Sequence, residues 1–188
     1  MYPSPRITFK EVKRRLKVDH ERLLSILNRQ STYKRTRAWL HPSFQAVFLF
    51  RIANYCRARS WNTLGRLIWQ FNLFWTGADI SEHADILEGF VVMHPIGVAV
   101  MGTAGKNLSL GACAGLGGET GKTEDIGAGP GFCLLGDNIT IASHSGVLGP
   151  VSIGDNVNIG AVVVVTRNIE SNTDVLSYEI RTLSNAKT

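Results

Sequence analysis

The chain has 188 residues, 44% hydrophobic and 19% charged, with 19 glycines; it is long enough for one domain with a helical appendage and too apolar for a disordered chain. Low charge and frequent glycine exclude a long coiled coil and suit many tight turns. The net charge of +5 is uneven: residues 1–75 carry 15 Lys/Arg and 3 Asp/Glu, residues 76–188 carry 5 and 12.

A basic front could meet nucleic acid or anionic lipid, but a solvated helical surface is the expectation for such a run, and no nucleic-acid partner is predicted. Residues 7–29 read as a helix, because Ile7, Val12, Leu16, Leu23, Leu24 and Leu27 recur at helical spacing between basic positions. Residues 30–41 are polar and basic and read as a connector. Residues 43–59 and 62–75 read as two apolar helices opening on Ser43 and Asn62 as N-caps. The second is so rich in Leu, Ile, Phe and Trp that the next domain or another subunit is expected to bury it. The alternative is membrane-surface contact through Arg57, Arg59 and Arg66 beside Trp61, Trp69 and Trp75.

From residue 80 the period changes. Aliphatic residues recur every six positions at Ile80, Ile86, Val92 and Val98, and again at Leu135, Ile141, Val147, Ile153, Ile159 and Val165. Neither a helical nor an alternating template gives six. A hexapeptide repeat does: three short strands per coil, each turning one aliphatic side chain inward, joined at corners that favour Gly, Asn and Asp. The expected fold is mainly β, a parallel β-helix behind a short α-helical region. Periodicity leaves its hand open, and the crossover rule alone favours the right hand. Residues 104–118 read as an irregular coil. Residues 119–132, Gly-rich and without period, read as a loop thrown out of the helix, where a ligand is met. The division is a basic helical region 1–76, a β-helix 77–176 and a tail 177–188.

Cys56, Cys113 and Cys133 are odd in number and widely spaced, which fits reduced thiols in a cytoplasmic protein. The N-terminus has no apolar core of a signal peptide, and no run reaches the ~18 apolar residues of a spanning helix. His83, His94 and His144 lack metal-ligand spacing, so no metal is expected, and His83 and His144 read as solvent-facing turn residues. His20 and His41 read as solvated surface. Residues 118–123 mimic a phosphate-binding loop, but Leu116 stands where a glycine is needed and no helix pattern follows.

Residues 77–176 resemble the serine O-acetyltransferase branch of the hexapeptide-repeat acyltransferases. The resemblance is carried by Asp79-Ile80, Val92-Met93-His94, Gly97-Val98, Gly102-Thr103-Ala104, Leu116-Gly117-Gly118, Gly121-Lys122, Val147-Leu148-Gly149 and Ile159-Gly160-Ala161. Residues 48–69 resemble the helical lead-in of relatives in exopolysaccharide biosynthesis. The resemblance implies a left-handed parallel β-helix, a homotrimer with sites between subunits, and acetyl-CoA as co-substrate. It places the general base at His94 and its orienting carboxylate at Asp79. A histidine suits that task near neutral pH, and a carboxylate on its other nitrogen fixes the tautomer. Their separation of 15 residues differs from whole coils by three, so contact depends on coil details or a neighbouring subunit.

The same comparison places Gly117, Gly118, Ser143, Ala161 and Arg181 along the CoA groove. Of the family's closing turn only Arg181 is matched; Arg181 or Lys122 is available for a phosphate. The departures fall on the acceptor side. Met93 replaces an acidic residue, Phe132 replaces a second histidine, and Asn28 falls where a helical aspartate helps hold serine. Losing that charge complementarity argues against a zwitterionic acceptor and for a sugar-like hydroxyl, with Met93 and Phe132 as substrate-binding walls. The sequence thus predicts an acetyl-CoA-dependent O-acyltransferase. Its alternatives are a serine O-acetyltransferase proper and an inactive trimeric scaffold.

Overall fold

A computed structural model of the chain describes residues 7–29 and 35–177. The first helix, α1 (Phe9–Asn28), is capped by Thr8, whose hydroxyl accepts from the Glu11 N–H at 3.2 Å. A short helix, α2 (Arg35–Trp39), lies inside the expected connector. In α3 (Pro42–Ala58) the cap is His41, not Ser43: its Nδ1 accepts from the Ser43 N–H at 3.3 Å, and Pro42 takes the first helical position, where no N–H is needed. In α4 (Asn62–Thr76) Asn62 is already helical, Trp61 stands at the cap without a side-chain bond, and Gly77 ends the helix at φ 76°.

The β-helix follows. Its first coil is β1 (Asp79–Ile80), β2 (Asp85–Ile86) and β3 (Val91–Val92); its second is β4 (Ala99–Val100), β5 (Thr103–Ala104) and β6 (Ser109–Leu110). The third is β7 (Gly115–Gly117), β8 (Leu134–Leu135) and β9 (Thr140–Ile141); the fourth is β10 (Gly146–Leu148), β11 (Ser152–Ile153) and β12 (Asn158–Ile159). Strands β13 (Val164–Val165) and β14 (Asp174–Val175) close the stack. The strands form three parallel sheets: A (β1-β4-β7-β10-β13), B (β2-β5-β8-β11) and C (β3-β6-β9-β12-β14). The fold is a left-handed parallel β-helix.

All ten hexad positions read from the sequence are buried. So are Ala104, Leu110 and Leu116, which continue the first register through the stretch expected to be irregular. Alanine at 104 and the surrounding glycines hid the period, because small residues fill a coil corner without an aliphatic signal. The break falls after β7. Residues between Gly117 and Leu134 hold no strand, only an isolated antiparallel bridge between Asp125 and Pro130.

Corners between sheets B and C carry a ladder of asparagines. Asn107 Nδ2 donates to Asn138 at 2.9 Å, Asn138 to Asn156 at 2.9 Å and Asn156 to Asn172 at 3.0 Å. All four adopt left-handed backbone, with φ between 56° and 62°, a conformation that asparagine tolerates better than most residues.

The helices are fastened to the first coil by one buried ion pair. Arg51 Nε meets Asp19 Oδ2 at 2.9 Å, with both side chains nearly inaccessible. Arg51 also donates to the carbonyls of Ile86 and Leu87, and Asp19 Oδ1 accepts the N–H groups of Gly89 (2.7 Å) and Phe90 (2.9 Å). A second, exposed link runs from Arg14 to Glu88 at 3.0 Å and to Glu11 at 2.8 Å. Arg14 is the main cause that holds both carboxyls at about 2; Arg15 adds to this at Glu11. Because these pKa values fall on folding, the unfolded chain binds more protons below the ordinary carboxylate range. Stability is therefore expected to be constant above about pH 4.5 and to decline as pH falls toward 2; a urea midpoint that stays flat through that window would contradict this.

Candidate active site

His94 follows β3 at the corner where the chain turns from sheet C into sheet A, and its side chain is exposed. The pairing of β3, β6, β9 and β12 sets Val92 beside Leu110, Leu110 beside Ile141 and Ile141 beside Ile159. Two residues further along each coil come His94, Ala112, Ser143 and Ala161; the last three share one corner edge, while the first-coil corner holds two extra residues, so that Cys113 N meets Ile96 O at 3.2 Å and His94 lies in a wider turn at the head of that edge. Backbone bonds from His144 N to Ala112 O (2.9 Å) and from Val162 N to Ser143 O (3.2 Å) continue it past the strands. At about 4.8 Å per coil, His94 stands about 14 Å above Ala161. Below the imidazole every side chain of the edge is small, which leaves a lane for an extended ligand arm. Beside it the corner residues Cys113, His144 and Val162, at φ 53°, 59° and 60°, form a parallel stack.

Helix α3 closes the upper end. Ser43 Oγ donates to the carbonyl of Met93 at 2.8 Å, so the start of α3 is tied to the residue preceding His94. The Met93 side chain is half-buried and packs among α1 and α3 residues such as Phe44 and Leu23. His41 lies near enough to His94 to feel its charge: burial first, and His94 second, lower the His41 pKa from its ordinary value. Nothing in the local pattern signals this proximity, since 53 residues separate the two histidines. Only the His-Pro-Ser opening of a helix could have pointed to a capping imidazole.

The other candidates lie elsewhere. Asp79 is exposed on sheet A, and its Oδ1 accepts from Trp69 Nε1 at 2.8 Å; within one chain it makes no hydrogen bond to His94. Gly117 and Gly118 leave sheet A on the edge opposite His94. Phe132 covers Gly118, close enough that a Cβ there would come within 3.1 Å of its ring, while a Cβ on Gly117 would meet nothing within 4 Å. The His94 edge and the Gly117–Phe132 edge are thus separated by the width of sheet A. Arg181 lies outside the described residues. Asn28 is the last residue of α1, and Lys122 is exposed in the excursion between β7 and β8. Among the described residues no cluster fit to hold a metal is found, and His83 and His144 are exposed; His83 lies 3.6 Å from the buried carboxylate of Glu82. No disulfide links the cysteines, and among the described residues no helix is long and apolar enough to cross a membrane.

A coiled parallel β-helix with an exposed histidine at one corner is the architecture of the hexapeptide-repeat class. Comparison with known proteins narrows the class. The chain is 28% identical over 147 residues to the serine acetyltransferase of Helicobacter pylori, covering 77% of this chain and 83% of that protein. It is 35% identical over 138 residues to the serine acetyltransferase of Staphylococcus epidermidis, covering 72% of this chain and 62% of the relative. Among solved structures, serine acetyltransferase 1 of Entamoeba histolytica in complex with L-cysteine superposes with TM-score 0.78 at 26% identity, over 90% of this chain and 64% of that one. The chain therefore spans less than two thirds of the Staphylococcus and Entamoeba proteins. No model of a known protein family matches it. These similarities are consistent with a serine O-acetyltransferase-like family.

Proposed function

We propose that this chain is an acetyl-CoA-dependent O-acetyltransferase in which His94 is the general base. The observation that supports the reading is the corner edge on which Ala112, Ser143 and Ala161 align beneath the first-coil turn that holds His94. A thioester arm laid along Ala161 and Ser143 would bring its acyl carbon up to His94. The imidazole takes the proton of the acceptor hydroxyl as the oxygen bonds to the acetyl carbon. The carbon–sulfur bond then breaks, and the departing thiolate receives that proton back from the imidazolium. Asp79 is assigned to orient the imidazole with the carboxylate oxygen that Trp69 does not engage.

The remaining groove residues, Gly117 and Gly118, are assigned to the CoA arm of a neighbouring copy, which makes the working unit a homotrimer. The outer surface of sheet A supports such packing: it presents Ala99, Gly115, Gly146, Leu148 and Val164. Sheet C presents Ser109, Thr140, Asn158 and Asp174 instead. A flat, apolar, small-residue face packs on its like more closely than a polar one.

Serine is the first acceptor to test, because the relatives compared above carry that name. A sugar hydroxyl is the second, because neither Met93, which packs among α1 and α3, nor Phe132 supplies a charge that would pair with an ammonium or a carboxylate. The test is thiol release from acetyl-CoA with serine, homoserine, free sugars and nucleotide sugars. Release with one acceptor and not the others supports the reading and identifies the acceptor class. If no acceptor gives release while acetyl-CoA still binds, the chain is a binding protein and the transferase assignment fails.

A further inference from the structure

Helix α4 faces outward with the wrong side for a soluble surface. Its buried residues are Gly65, Asn72 and Thr76, which are small or polar. Its apolar residues Leu64, Leu67, Phe71, Phe74 and Trp75 recur at three-, four- and seven-residue intervals and form one exposed stripe, with Phe74 85% and Trp75 60% accessible. Phe71 and Trp75 stack on each other at 6.1 Å, so the stripe is an aromatic ridge.

The ridge continues across α3. Trp75 Nε1 donates to Gln45 at 2.8 Å, and one turn further along α3 stands Phe48, which is partly exposed. Phe48 and Ile52 form one wall of a groove of about 320 Å³ whose other wall is Phe9, Val12 and Leu16 of α1, with Trp39 closing it. Lys13 and Lys17 of α1 complete its lining.

The charge of this region is mostly positive, although α1 adds Glu11 and Glu21, Arg51 is buried against Asp19 and Arg66 faces Glu82. Between Glu21 and Asp79 the sequence holds nine Lys/Arg and no acidic residue, and all four tryptophans fall in the same stretch. Two copies pressed together through it would bring like charges together. The ridge also faces away from sheet A: Trp69, which reaches Asp79 on that sheet, lies two residues from Phe71 and therefore roughly 160° around the helix. A copy packed on sheet A would leave the ridge uncovered.

We propose that the α4 ridge and the α1–α3 groove form a docking surface for an anionic lipid bilayer. Phe74, Trp75, Phe71, Leu67 and Leu64 enter the headgroup–acyl boundary, the groove takes the end of an acyl chain, and the cations beside it meet the lipid phosphates. Aromatic side chains with one apolar face and flanking cations are favoured at that boundary. The proposal is independent of the acetyltransferase reading and places the lane below His94 on a protein held at a membrane surface rather than in it.

The experiment is sedimentation of the full chain with vesicles of phosphatidylcholine alone and with 30% phosphatidylglycerol, with tryptophan emission followed in parallel. Wild type is expected to partition at least tenfold more strongly onto the anionic vesicles, with a blue shift in emission, and to be released in part at high salt. The Leu67→Asp/Phe74→Asp variant is expected to lose at least tenfold in binding while keeping its thermal midpoint, its mass by light scattering and its acetyl transfer. Absence of wild-type binding to anionic vesicles overturns the proposal, as does binding that the double variant leaves unchanged. A double variant that stays folded but falls to a lower mass, with no vesicle binding by wild type, would assign the ridge to a second copy instead.

Discussion

Substituting His94 by Ala is expected to lower the rate of acetyl transfer by about 10²–10⁴-fold, the usual loss when a positioned general base is removed. Acetyl-CoA binding should persist, because His94 heads the lane while Ser143 and Ala161 lie two and three coils below it. Thiol release and equilibrium binding measured side by side separate the two effects. A variant that retains transfer within tenfold of wild type would remove His94 from the chemistry. Comparison with Asp79→Asn sharpens the result. That change keeps an oxygen for the Trp69 N–H but takes away the charge that would stabilise the imidazolium. A loss with Asp79→Asn assigns the carboxylate to the base, while no loss leaves Asp79 as a partner of Trp69 alone.

Truncating Asp19 to Ala is expected to cost about 3–5 kcal/mol, the largest effect on stability in the molecule. The change strands the Arg51 guanidinium in a buried site and leaves the Gly89 and Phe90 N–H groups without their acceptor. The loss should be local. The pair fastens the helices to the first coil, whereas lower coils are held by their own hexad core. Tryptophan fluorescence reports only the helical part, because all four tryptophans precede residue 76. It should show an early transition in urea, with β-sheet circular dichroism lost at higher denaturant. Coincident transitions at the wild-type midpoint would show that the pair is dispensable. Replacing both partners with apolar residues of similar volume is expected to recover part of the loss, since no charge is then left unpaired.

The two experiments also test how the halves of the protein cooperate. Ser43 ties α3 to Met93, one residue before the proposed base. A helical region released by Asp19→Ala would lose that restraint, so activity is expected to fall along with the early transition although no side chain of the lane has changed.

The β-helix was legible because its period is a local property. One inward side chain per short strand must be aliphatic in each successive coil, and Leu135 through Val165 announce this without long-range information. The reading failed where small residues hide the repeat, at Ala104 and the glycines after it. It also missed the cap of α3, where an imidazole from His41 does the work that was assigned to Ser43. The helix of residues 62–75 was recognised from its apolar content, yet that content alone pointed inward, to burial by a neighbour. Only the packed structure shows the stripe turned outward, because Gly65 and Asn72 allow a close approach to α3 on the opposite side.

Sequence by itself determined the coiled β architecture and the acyltransferase resemblance, and it singled out His94 as the proposed base. These are carried by spacing along the chain and by residue type. Tertiary structure decided which of the predicted site residues share an edge. Ala112, Ser143 and Ala161 are aligned by strand register beneath the turn that holds His94, whereas Gly117, Gly118 and Phe132 are set across sheet A. It also decided that Asp79 meets Trp69 and that His41 lies within reach of the His94 charge. The physical reason is that a coil corner brings together residues many positions apart, at a height fixed by register and on an edge fixed by the turn. Neither quantity is written in the local pattern of the chain.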